Sequence, residues 1–200
     1  MKWFFDSDKP VMRALSTMAD LLVLNLLTIV CSLPIVTAGA ALTALNDACI
    51  RLVRMEDGEL ARDYFRAFKA NFKKATLLWL MLLVAAILLY FDYLAALTYA
   101  PMFRVGIFAI SLVLLVIAFY AFALLARYEN TLWRTLQNAA SLAVGFFPRT
   151  LLMLVCAVAL WLACFHWFNF GSLILLLLGL SMPVYINATL LNDVFKKIEK

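Results

Sequence analysis

The stretch CSLPIVTAGAALTALND, residues 31–47, decides the fold of this chain. It follows a long apolar run and contains one proline, one glycine, two threonines, one asparagine and one aspartate. It either forms a second helix that returns along the first, or it is a loop that leads away from it. The placement of every later segment depends on which of the two is correct.

The composition identifies the class of protein. Hydrophobic residues make up 66% of the chain and charged residues 14%, with a mean hydropathy of +0.97. Soluble domains are about half apolar and about a quarter charged. The chain is therefore expected to be a single integral membrane domain over residues 1–200. Five runs are long enough to cross about 30 Å of hydrocarbon at about 1.5 Å per residue: residues 14–33, 75–97, 105–126, 150–168 and 172–191.

Lysine and arginine are distributed unevenly between these runs. Seven lie in residues 51–74, three in 127–149, three in 196–200 and three ahead of the first run, whereas Arg104 stands alone. Positive charge marks the cytoplasmic side of a membrane protein. Both termini are therefore predicted to be cytoplasmic, which requires an even number of crossings. The quoted stretch would supply the sixth.

A short repeat points the same way. TALND at residues 43–47 recurs as TLLND at residues 189–193, each time at the end of an apolar run. A second echo pairs NFKKATLL at residues 71–78 with GFFPRTLL at residues 145–152. Both are also open to a reading as chance similarity. Taken as real, they predict an all-α polytopic protein with six transmembrane helices in three antiparallel hairpins, and they place Pro34 at the first outer turn.

The first run carries polar residues on one side. Asp20, Asn25 and Thr28 fall within one arc of a helix, opposite a leucine-rich face. An ionisable residue within a membrane helix is a candidate functional residue. Asn187, one turn after Pro183 on the last run, is predicted to meet this polar face. The alternative is that these groups only hold helices together by hydrogen bonds.

Residues 59–74 show helical periodicity with two faces. Ala61, Tyr64, Phe65, Phe68 and Phe72 form the apolar face, and Arg62, Arg66, Lys69 and Lys73 form a basic face beside it. This pattern predicts an interfacial amphipathic helix at the inner membrane surface, with the cations toward anionic headgroups. The same basic face could instead dock a cytoplasmic partner.

Signatures of catalysis are missing from the sequence. His166 is the only histidine, which excludes multi-histidine metal sites, and no G-x-x-x-x-G-K-[ST] loop is present. Ala38-Gly39-Ala40 could follow a signal peptide, but Asp20 and Asn25 interrupt the supposed apolar core. We expect no catalytic residues, no metal, no cofactor and no nucleic-acid partner.

Four stretches of the chain carry a resemblance to a known family: MKWFF at the start, ADLLVLNLL at residues 19–27, LPIVTAGAALTAL at residues 33–45 and FKANFKKATLLWL at residues 68–80. In these stretches the chain resembles the YesL family of small Gram-positive membrane proteins, whose domain has no known function. The resemblance implies an accessory role in carbohydrate uptake, because family members are encoded beside sugar importers. It supplies no catalytic residues.

These observations lead to two functional hypotheses. The first is a non-enzymatic accessory or assembly protein for a carbohydrate ABC importer, located in the bacterial plasma membrane and in contact with the lipid bilayer and importer subunits. The alternative is an independent small-solute transporter or channel lined by Asp20, Asn25, Thr28 and Asn187. A transporter needs a continuous polar route, but the only polar residues in the run 105–126 are Ser111 and Tyr120. This favours the accessory role.

Overall fold

A computed structural model of the protein describes residues 10–56, 58–98, 101–166 and 179–198. Within these ranges the chain is helical and contains no strand. This confirms the predicted all-α class. The helices are α1 (Pro10–Ser32), α2 (Ala38–Arg54), α3 (Leu60–Thr98), α4 (Arg104–Arg127), α5 (Leu132–Gly145), α6 (Phe147–His166) and α7 (Ser181–Ile198).

The stretch quoted at the outset forms a turn followed by a helix. Helix α1 ends at Ser32, just before Pro34, and a short 3-10 turn, Ile35–Thr37, leads into α2. Proline cannot donate a backbone hydrogen bond, so it suits the break between the two helices. Helix α2 ends at Arg54, and the next residue, Met55, has a left-handed φ of 54°. Ile35–Arg54 is long and apolar enough to cross a membrane, as the sequence predicted.

Helix α3 is longer than predicted. It runs without a break over 39 residues, about 58 Å at 1.5 Å per residue. No glycine or proline occurs between residues 60 and 98, so nothing in the backbone chemistry interrupts it. The predicted amphipathic surface helix, residues 59–74, is therefore not a separate element. It is the first part of the helix whose apolar second part begins at Ala75.

The chain bends sharply between α5 and α6. Helix α5 packs against α4. The axes of α5 and α6 form a bend of 92°. Gly145 ends α5 and Pro148 lies in the first turn of α6, which fits a break at this position. The two halves of the second sequence echo therefore differ in structure, because residues 71–78 lie inside α3 and residues 145–152 span this bend.

The described helices identify a multi-pass membrane protein. Four of them, by length and composition, are able to cross a membrane, and the bent α5–α6 pair would make a fifth. The sequence predicts six spans in three hairpins, which is more than the described residues supply. The last predicted span, residues 172–191, lies partly outside them, and so does the third outer turn.

Helix α2 lies at the centre of the packing. It contacts α1, α3, α4 and α7, and its buried positions are mostly small. Gly39 marks a close approach to α3, because a Cβ atom added there would meet the Cβ of Trp79 and lie 2.5 Å from the carbonyl oxygen of Ala75. Small residues let membrane helices approach closely. This close contact sets the position of α2 along the first half of α3.

Candidate functional site

Asp20 lines a cavity of about 220 Å³ between three helices. The other walls come from the end of α2, the start of α3 and the connection between them: Ala48, Arg51, Leu52, Glu56, Gly58, Leu60 and Asp63. The left-handed residue Met55 turns the chain so that this connection closes over the end of α2. The cavity thus lies where the end of α2, the start of α3 and their connection meet α1.

The charges around this cavity are mostly paired. Arg51 Nε lies 2.8 Å from Asp47 Oδ2, and its Nη1 lies 3.7 Å from Glu56 Oε2. Asp63 Oδ1 lies 2.8 Å from Arg66 Nη2. Among the described side chains, Asp20 forms no ion pair. Asp20 is therefore the carboxylate of this cavity that stays available to solvent or to a ligand.

Asn25 and Thr28 lie apart from Asp20, inside the packed core. Both are fully buried. Asn25 Oδ1 accepts a hydrogen bond of 3.1 Å from the backbone N–H of Leu180, just before α7, and Thr28 Oγ1 donates to the carbonyl of Leu24 at 2.7 Å. The polar face predicted on α1 is therefore divided between an open cavity and a buried helix contact.

Asn187 is buried on α7, as the predicted contact with the first span requires. Helices α1 and α7 do pack against each other. One hydrogen bond between the polar face of α1 and the start of the last helix is made by the backbone of Leu180. Asn25 thus holds the beginning of α7 in place, and Asn187 lies two turns further along.

The basic face of α3 also divides into two parts. Arg62 pairs with Glu59 at 3.5 Å and Arg66 pairs with Asp63 at 2.8 Å. Lys69 and Lys73 are exposed and form no ion pair with any described side chain. Together with Phe68 and Phe72 they line an open groove just before the apolar part of α3. Lys74 also lines this groove and donates to the carbonyl of Asn130 at 3.4 Å, so three lysines there have no ion pair with a described side chain.

The aromatic side chains of the same segment do not share one environment. Tyr64, predicted at the acyl boundary, is fully buried, and its hydroxyl donates to the carbonyl of Ala41 at 3.3 Å. Phe65 and Phe72 are exposed. Tyr64 therefore packs against protein, whereas the predicted membrane contact of the exposed phenylalanines stays a prediction.

Two contacts between distant segments were missed from the sequence. Arg54 Nε donates to Asn192 Oδ1 at 3.0 Å, which joins the ends of α2 and α7. Trp79 Nε1 donates to the carbonyl of Ile35 at 2.8 Å, which joins the turn after α1 to the middle of α3. The repeated Asn-Asp helix ends were the only available signal for the first contact. Nothing in the sequence indicated the second.

Comparison with known proteins gives one family match. No curated protein and no solved structure matches the chain. A family model described as "Protein of unknown function, DUF624" matches residues 21–93, which include the second half of α1, all of α2 and most of α3. The matched segment contains Asp20's neighbour Leu21, the cavity walls from Ala48 to Asp63 and the basic face. These 73 residues match the family to which YesL-type proteins belong.

Proposed function

We propose that the protein is a non-enzymatic accessory or assembly protein for a carbohydrate ABC importer. Its place is the bacterial plasma membrane, with both termini in the cytoplasm. The link to carbohydrate import rests on the resemblance to the YesL family. The non-transporting role rests on how the polar residues of α1 are used.

The burial of Asn25 is the observation that carries this proposal. A solute route needs polar groups that face a continuous opening, since an ion or sugar must exchange water for protein contacts along the way. Asn25 and Thr28 are instead fully buried and hydrogen-bonded to backbone groups. Their polarity holds helices together, as is common within membrane proteins.

The second half of α3 and most of α4 offer a large apolar surface to lipid or to importer subunits. Leu88, Phe91, Val105 and Phe108 are among the exposed side chains there. An apolar surface of this kind suits contact with acyl chains and with the helices of a neighbouring membrane protein. It provides no polar lining for a sugar.

The proposed orientation is supported by the charges and by one contact. Residues 51–74 carry the largest share of the basic residues, which favours the cytoplasm. Arg54 bonds Asn192, so the end of α7 lies beside that basic connection. The C-terminus is therefore proposed to lie on the same side.

An independent transporter is the second candidate, and the cavity beside Asp20 is the observation that favours it. Its three acidic and one basic lining residues could hold a polar solute. The cavity lies at the charged end of α1–α3, however, and the next polar residues along α1 are buried. A cavity of this kind would serve as an entry site only if the packed core opened.

Affinity purification in mild detergent tests the accessory role. The tagged protein is expressed at native level, and co-purifying proteins are identified by quantitative mass spectrometry. An unrelated multi-pass protein with the same tag, expressed at a matched level, is the control. We expect permease subunits of a carbohydrate ABC importer to be enriched over that control. Recovery of the protein without any importer subunit would refute the proposal.

A further inference from the structure

The turn between α1 and α2 lies halfway along α3. The hydrogen bond from Trp79 Nε1 to the carbonyl of Ile35 fixes this position. From Trp79 to the end of α3 at Thr98 the helix continues for 19 residues, about 28 Å. The next turn, Pro101–Phe103, follows there. The two turns are therefore separated by nearly the thickness of the hydrocarbon layer, which is about 30 Å.

Helix tilt does not bring the two turns to one surface. Membrane helices tilt by up to about 40°. At that tilt the 28 Å measured along α3 still corresponds to a difference in depth of about 22 Å. If the second turn lies at the outer surface of a hydrocarbon layer of about 30 Å, the first turn lies within that layer, about 2–8 Å from its inner boundary.

Several polar groups of the first turn are hydrogen-bonded within the protein. Thr37 Oγ1 donates toward the carbonyls of Cys31 and Pro34, at 2.6 and 2.8 Å, and the backbone N–H of Thr37 also donates to Pro34. Trp79 supplies the donor for Ile35. A turn in water has no need of such partners, whereas irregular backbone at membrane depth has to be satisfied by the protein.

The outward side chains of the first turn are apolar. Leu33, Ile35 and Val36 are 76%, 69% and 52% exposed. The second turn, in contrast, is followed by Arg104, whose guanidinium donates to the carbonyl of Leu97 at 3.0 Å and places a charge there. A charge is costly in hydrocarbon and suits the membrane surface. The two turns are thus suited to different surroundings.

From these observations we propose that the α1–α2 pair is a re-entrant membrane element. It enters from the cytoplasmic side, turns among the acyl chains at residues 33–37 and returns to the cytoplasm without reaching the outer surface. Leu33, Ile35 and Val36 form its contact surface for lipid. Residues 51–74 and the N-terminus stay on the same side, because a re-entrant pair changes the number of crossings by two.

Spin labels at the two turns test this proposal in the full-length protein reconstituted into vesicles of phosphatidylglycerol and phosphatidylethanolamine. Val36→Cys and Met102→Cys are labelled in a chain whose four native cysteines are replaced by alanine. Oxygen concentrates in hydrocarbon, and a nickel chelate stays in water. We expect oxygen to relax the label at residue 36 more strongly than the chelate, with the reverse at residue 102. Strong relaxation by the chelate at both positions overturns the proposal.

A second measurement avoids replacing the native cysteines. Val36→Lys and Met102→Lys each place one charge on an exposed turn residue; Met102 is 91% exposed. We expect a loss of folded protein in membranes for Val36→Lys and an unchanged yield for Met102→Lys. Equal yields for the two variants would show that the first turn lies in water.

Discussion

Arg54 and Asn192 lie 138 positions apart in the chain, and their side chains are joined by a hydrogen bond of 3.0 Å from Nε to Oδ1. Asn192 is buried on α7, and Arg54 ends α2. Arg54 lies within residues 21–93, which match the family model, and Asn192 lies outside them. It is also the contact that supports placing the C-terminus beside the basic α2–α3 connection.

Loss of this bond is expected to destabilise the protein. Asn192→Leu and Arg54→Ala should each lower the free energy of unfolding by about 1–3 kcal/mol, since the partner loses its bond. The double variant should cost less than the sum of the two. Thermal denaturation in detergent provides the measurement. Additive single effects would show that the bond contributes nothing.

Gly39 is expected to tolerate no added side chain. Gly39→Ala would drive a Cβ against Ala75 of α3, and overpacking of this kind costs about 1–3 kcal/mol. Gly106→Ala is the matched control, because a Cβ there meets nothing within 4 Å. The melting temperature in detergent should fall for the first variant only. An unchanged melting temperature for Gly39→Ala would contradict the close approach of α2 and α3.

Asn25 and Asp20 should differ in their effect on stability. Asn25→Leu removes the acceptor for the buried N–H of Leu180, and we expect a loss of about 1–3 kcal/mol. Asp20→Leu and Asp20→Asn, at a partly exposed cavity wall where Asp20 has no ion pair with a described side chain, should each cost less than Asn25→Leu. Stability is read from denaturation in detergent. A larger loss of stability for the Asp20 variants than for Asn25→Leu would contradict the conclusion that Asn25, and not Asp20, holds the helices together.

Lys69 and Lys73, which form no ion pair with a described side chain, should contribute to binding of anionic lipid by α3. Lys69→Glu with Lys73→Glu should weaken retention of phosphatidylglycerol by about 1 kcal/mol per cation, as measured by native mass spectrometry. Arg62→Gln with Arg66→Gln is the control, because both arginines already pair with acids. If only co-purifying importer subunits are lost and lipid retention is unchanged, the basic face docks a partner.

The helical class and the position of the first turn could be predicted because apolar length and proline chemistry are local. The length of α3 was missed because the change from charged to apolar at Ala75 was taken for a boundary. The absence of glycine and proline from residues 60–98 was the signal against that boundary. Tyr64 was placed toward lipid because periodicity gives the face of a helix but not whether protein or lipid covers it. The Trp79–Ile35 bond joins groups 44 positions apart and leaves no local pattern.

The most direct test of the accessory role is the amount of importer permease in the membrane of cells that lack this protein. Uptake of the importer's labelled sugar is measured in the same cells. We expect both the permease and the uptake to fall, and both to return with the wild-type chain or with Asp20→Asn. The account would be contradicted if the amount of permease were unchanged while uptake was lost, and if the wild-type chain but not Asp20→Asn restored uptake. The protein would then carry the solute itself.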